Sequence, residues 1–133
     1  MKIDNVSQKV VDLMTADKFV EFCGITLDEI GPGYAKTSVT IDKHHLNGAG
    51  IIQGGVLFTL ADYALASAAN SREKVSVSIE TSMSFIKGVS SGKVIAVAKE
   101  ITCGRTLARY DVPVTTEDGT LIALLHGTVY RKE

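Results

Sequence analysis

The spacing of hydrophobic and polar positions changes character along the chain, and each change predicts an element. In residues 5–22, Val6, Val10, Leu13 and Met14 recur at helical spacing, which predicts an amphipathic helix with Asn5 as its candidate cap. Thr15-Ala16-Asp17 is the point where it would divide into two shorter helices, and Gly24 closes the segment. A short strand is expected at 25–30 and a turn at Gly31-Pro32-Gly33. A second strand at 34–41 alternates Ala35, Thr37, Val39 and Ile41 against polar neighbours. Residues 42–52 read as loop. From 55 to 69 nearly every position is apolar or small, and a helix apolar all round belongs inside a protein. The second half reads as strands. Val75, Val77, Ile79, Thr81, Met83 and Phe85 fall on one face, and Ser76, Ser78, Glu80, Ser82 and Ser84 on the other. That strict alternation is the mark of an antiparallel strand with one covered face. Further strands are expected at 93–101, 107–115 and 121–130, with Glu117-Asp118-Gly119 as a hairpin turn and Pro113 marking an edge or bulge.

The element order is therefore helix, two strands, buried helix, and a meander of about four strands. An α+β fold in which one antiparallel sheet wraps one long apolar helix satisfies it. The 133 residues suffice for a single domain, 1–133. The helix is too apolar for one sheet face to cover, so either the sheet curls strongly or a second copy helps; a homo-oligomer is the natural expectation.

Composition narrows the function mainly by exclusion. The net charge is −1, with no basic patch, which argues against a nucleic-acid partner. No 18-residue run is free of polar groups, so no membrane span is expected. No secretory signal is visible. Cys23 and Cys103 read as reduced thiols of a cytoplasmic protein. His44 and His45 are adjacent and His126 is remote, a spacing that offers no metal site. His44 and His45 read as polar loop, and His126 as a packed or partly exposed strand residue.

The candidate chemistry sits on the buried helix and the glycine-rich loop before it. Asp62 is the one ionisable group in an apolar helix, where a carboxylate is costly unless it is hydrogen-bonded or solvated. Gly54 and Gly55 stand where a helix presents unpaired N–H groups, a place suited to an anion or a developing oxyanion.

Asn47, Gly50, Gln53-Gly54-Gly55 and Asp62, together with Gly104-Arg105-Thr106-Leu107-Ala108 and Asp118-Gly119, resemble the hot-dog fold, and more narrowly the phenylacetate-degradation-type (PaaI-like) acyl-CoA thioesterases. The resemblance covers nearly the whole chain and departs at Gln53, where that family has histidine. It implies an acyl-CoA thioesterase acting on an aryl or short- to medium-chain acyl-CoA. Asp62 would serve as nucleophile or general base, Gly54 would donate its N–H to the thioester oxygen, and Asn47 and Gln53 would hold water, loop or carbonyl. Gly55 would border the bound thioester. Sites in such proteins lie between protomers, so Ser78, Thr81 and Ser82 of a partner strand would approach Asp62. Lys87 and Arg105 would meet coenzyme A phosphates. No metal or cofactor is implied, and the expected assembly is a homotetramer built from dimers. Two other readings stay open: a non-catalytic acyl-CoA-binding protein, and a hot-dog hydratase or dehydratase, which would want a histidine where Gln53 stands.

Overall fold

The computed structural model describes residues 1–132. The elements in chain order are β1 (Lys2–Ile3), α1 (Gln8–Thr15), α2 (Lys18–Phe22), β2 (Thr26–Gly31), β3 (Tyr34–Thr40), a 3-10 turn (Lys43–His45), α3 (Gly54–Asn70), β4 (Ser76–Phe85), β5 (Lys93–Cys103), β6 (Leu107–Thr116) and β7 (Leu121–Arg131). The strands form one sheet in the order β1-β2-β3-β5-β6-β7-β4, antiparallel throughout except for the short β1–β2 pair. The sheet wraps α3, giving the hot-dog arrangement.

The N-terminal helix does divide. α1 is capped by Ser7, not Asn5, and α2 by Asp17, whose carboxylate accepts the Val20 N–H at 3.0 Å. Val10, Val11 and Met14 are buried, while Leu13 faces solvent. Asn5 lies outside the helix in a left-handed turn, and β1 gave no sequence signal because two residues show no period.

α1 is held from a distance. The Glu73 carboxylate accepts both the Ser7 hydroxyl at 2.7 Å and the Ser7 N–H at 3.1 Å. The Ser7 hydroxyl hydrogen bond leads in holding the Glu73 carboxyl below its ordinary value of 4.5. A depressed carboxylate contributes stability above the unfolded-state value and loses it as pH falls through the folded one. Amide exchange in α1 should therefore accelerate below the usual glutamate range, and Glu73→Gln should flatten that pH response.

The expected four-strand meander is only partly formed. β5, β6 and β7 make a meander, but β4 lies at the far edge beside β7, and the chain crosses from it to β5 next to β3. Hydrophobic alternation specifies faces and carries no information about strand order. The face assignment of β4 also changes. Ser78 pairs with Val129 and Glu80 with Thr128, so Ile79 is an extra residue in a β-bulge that reverses the alternation. Ser76 and Ser78 consequently share the helix-facing side with Thr81, Met83 and Phe85. Val77, Ile79 and Phe85 are more than 40% exposed, so the expected covered face is open in one chain.

The core lies between the sheet and α3, where Leu60, Ala61, Ala64, Leu65 and Ala68 are fully buried. Thr37 on β3 donates its hydroxyl to the Leu60 carbonyl at 2.9 Å, fixing helix against sheet. Gly127 on β7 lets the two approach: a Cβ there would lie 2.3 Å from Leu65 Cδ1. Leu65 has no solvent to swing into. Gly127→Ala should therefore cost about 1–3 kcal/mol in chemical denaturation, as overpacked cores do, and Leu65→Val in the same chain should recover part of the loss.

Candidate active site

Gln53 begins the site by capping α3. Its backbone is extended, and its side-chain carbonyl accepts the Gly55 N–H. Its main-chain carbonyl accepts the Val56 N–H at 3.0 Å. These bonds satisfy N–H groups that a helix start leaves open. The Gly54 N–H keeps no acceptor among the described residues and lies at the positive end of the helix dipole. The Phe85 ring covers Gly54 so closely that a Cβ would stand 3.1 Å from it.

Asn47 shapes the loop before the helix. Its Oδ1 accepts the Ala49 N–H at 2.9 Å and the Ile51 N–H at 3.3 Å, and its N–H donates to the Ile51 carbonyl at 2.8 Å. The oxygen is thus committed to the turn, and the amide nitrogen remains as a donor. Asn47, Gly54, Leu57, Phe85 and Lys87 line one open cleft of about 340 Å³.

His45, read from sequence as polar loop, is instead buried and pins this loop. Its Nδ1 accepts the Asp42 N–H at 2.9 Å, so the neutral ring carries its proton on Nε2 and donates it to the Cys23 carbonyl at 2.7 Å. The His45 carbonyl then accepts the Gln53 N–H at 2.8 Å. The chain from α2 to the cap of α3 is continuous. An adjacent pair of polar residues gave no hint of it.

Asp62 lies on α3 at about 12 Å from Gly54, eight residues at the helical rise. It belongs to a stripe of the helix that the sheet leaves partly open: Gly55, Phe58, Thr59, Asp62 and Ala66. Burial pushes its carboxyl above the ordinary carboxylate range, the charge of Asp17 adds to the rise, and a hydrogen bond from the Ser78 hydroxyl opposes it. Ser78 lies close enough to Asp62 within one chain to act on its carboxyl, on the side to which the bulge at Ile79 turns it.

The other expected residues separate. Thr81 is on the helix-facing side of β4, opposite Gly127, with no hydrogen bond to Asp62. Ser82 points to the outer face, where it pairs with His126 and shares a groove with Glu80, Arg109 and Asp111. The bulge that brings Ser78 in sends Ser82 out. Lys87 stays beside Gly54, but Arg105 is at the opposite end of β7. Lys87 N–H bonds to Ile122, and Arg131 bonds to Thr106 beside Arg105, a span of nine residues or roughly 30 Å. One chain therefore does not bring Lys87 and Arg105 to the same phosphates. The residue that sequence reasoning missed at Asp62 is Asp17, visible only as a helix interruption.

A hot-dog protein with a half-buried carboxylate on its central helix and an open N–H at that helix's start is the class these features define. The Thioesterase superfamily pattern matches residues 49–123, so the chain belongs to that superfamily. A candidate esterase of Archaeoglobus fulgidus is 39% identical over 98% of this chain and 86% of its own length. The acyl-coenzyme A thioesterase PaaI of Escherichia coli is 28% identical over 86% of this chain and 83% of its own. The structure of the Escherichia coli PaaI protein superposes with a TM-score of 0.90 at 26% identity, covering 95% of this chain and 92% of that one.

Proposed function

We propose that the protein hydrolyses an acyl-CoA thioester to a free acid and coenzyme A at a site shared by two protomers. The observation that carries this reading is Asp62: a half-buried carboxylate with raised proton affinity, oriented by Ser78, on a superfamily helix whose first N–H is open. The name of the Escherichia coli relative supports the acyl-CoA substrate.

Water attacks the thioester carbonyl carbon while Asp62 takes its proton. Raised proton affinity makes a carboxylate a stronger base toward water, which favours this role over attack by Asp62 itself. The Gly54 N–H, with the free amide of Gln53, stabilises the oxyanion. The intermediate collapses, the C–S bond breaks, and Asp62 returns the proton to the departing thiolate. Asn47 holds the loop and offers its amide nitrogen to water or carbonyl. Lys87 and Arg105 meet the nucleotide from different protomers. The reaction uses water and no cofactor.

The roughly 12 Å of helix rise between Asp62 and Gly54 exceeds what a base and an oxyanion donor on one carbonyl allow, so each site takes Asp62 from one protomer and Gly54 from the other. The open ten-residue edge β4 and the uncovered stripe of α3 are the surfaces a second copy would cover. A dimer pairing these surfaces, doubled to a tetramer, is the assembly we propose. No helix among the described residues is long and apolar enough to cross a membrane, which fits the cytoplasmic location we assign.

The test is thiol release from a panel of short, medium, long and aryl acyl-CoAs. At least one should turn over, and Gln53→His should retain activity while adding a titrating limb. Tight acyl-CoA binding with no release from any member would instead support the binding-protein reading.

A further inference from the structure

Among the large apolar side chains of α3, Phe58 alone is exposed, at 37%. Leu57, Leu60, Tyr63 and Leu65 are all packed inside. Phe58 stands in the middle of the stripe that the sheet leaves open, and the other members of that stripe are small or polar. A single exposed apolar side chain is ordinary on a protein surface. The position of this one gives it meaning. Phe58 is four residues after Gly54 and four before Asp62, about 6 Å of helix rise from each.

Each site of the dimer combines Asp62 of one copy with Gly54 of the other, so the two levels of the helix must meet twice. A two-fold axis along the helices would keep equal levels side by side and leave the roughly 12 Å gap open in both sites. An axis across the helices reverses one against the other and closes the gap, provided that it crosses midway between residues 54 and 62. That level is residue 58. We infer that a second copy of this chain covers the open stripe with its own α3 antiparallel, so that the two Phe58 rings meet across the two-fold axis as the apolar partition between the two active sites. The inference rests on the thioesterase reading and fixes the assembly of that same site. The contact is isologous, the kind in which a residue on the axis meets its own copy. Pairing removes both rings from water and adds an aromatic contact. Gly55, Thr59 and Ala66 carry little bulk to hold the helices apart. Each ring borders both sites: one turn toward the C-terminus is the Asp62 of one site, and one turn back is the Gly54 of the other.

The experiment is a cysteine scan of α3 in the full chain, with the free thiols removed by Cys23→Ser and Cys103→Ser. Phe58→Cys, Thr59→Cys and Ala66→Cys are each treated with copper phenanthroline and, separately, with a short bis-maleimide. The cross-linked dimer is read on a denaturing gel. In the antiparallel arrangement equivalent residues part along the helix by about 3 Å for each position away from 58, hence about 3 Å at Thr59 and about 24 Å at Ala66. Phe58→Cys and Thr59→Cys should each cross-link at least about tenfold more than Ala66→Cys, which lies beyond disulfide reach. Thr59→Cys keeps the ring, so it reports the same geometry if loss of Phe58 loosens the dimer. Turnover of hexanoyl-CoA by wild type, and binding of the non-hydrolysable thioether S-hexyl-CoA, are followed in parallel. If the profile is as stated but no thiol is released, the contact stands and the hydrolase reading fails. Hydrolysis of hexanoyl-CoA with Ala66→Cys cross-linking as well as Thr59→Cys, or with no cross-link at either 58 or 59, overturns the contact and leaves the hydrolase reading standing. If there is neither cross-linking nor turnover, both fall.

Discussion

Asp62→Asn lowers kcat/KM by about 10²-fold or more on every thioester the wild type hydrolyses, the scale of a lost general base. The asparagine amide keeps the shape and can still meet Ser78, so folding and thioether binding should persist while turnover collapses. The pH profile gives an independent reading. A base works only when deprotonated, so kcat/KM should rise with pH as Asp62 loses its proton. That limb should lie above the ordinary aspartate range because burial disfavours the charge. Ser78→Ala removes the hydrogen bond that lowers the value and should move the limb up. Asp17→Asn removes a like charge and should move it down. Opposite shifts from two residues on different elements would place both beside Asp62. Single turnover in 18O-labelled water separates the two roles of the carboxylate. Label in Asp62 supports an anhydride opened at the Asp62 carbonyl, and label in the product acid alone, with no acyl-enzyme trapped on quenching, supports a base.

How far the sequence revealed this site depends on what kind of information each residue carried. Asp62 stood out because a charge in an otherwise apolar helix needs a reason, and that reason is local. Gly54 was legible for the same cause: a helix start leaves open donors whatever surrounds it, whereas Gln53 entered only through the family resemblance and its capping role was not read. The wrapping of α3 by one sheet followed from its apolar circumference. What depended on pairing was lost. The regular alternation of 75–85 hid the bulge at Ile79, because an extra residue shows itself only against the partner strand β7. That single residue decides that Ser78 faces Asp62 while Ser82 faces away. The place of β4 at the sheet edge was equally invisible, since β4 alternates as an interior strand would. His45 and Asp17 became site neighbours through contacts across 22 positions of chain or more, which no spacing rule reaches.

The separation of Asp62 from Gly54 has a consequence that mutant mixing measures. Gly54→Val puts a branched side chain against the Phe85 ring and spoils the oxyanion end of the site. Asp62→Ala removes the base from the other end. Each homogeneous variant should be nearly inactive, for every site then carries one defect. Mixed dimers differ. In a two-fold assembly one of their two sites combines Asp62 from the Gly54→Val chain with Gly54 from the Asp62→Ala chain, and is intact. The other site collects both defects. Random exchange makes half the dimers mixed, so co-expressed or co-refolded variants should recover about a quarter of wild-type activity. If both groups acted within one chain, every site in every dimer would keep a defect and mixing would recover nothing. Recovery should also disappear when β4 pairing is blocked. Val77→Lys places a charge on the exposed face of that edge strand, where such residues discourage strand addition, and size-exclusion chromatography should show monomers. Activity recovered on mixing and lost with the dimer would locate the reaction between two copies of α3.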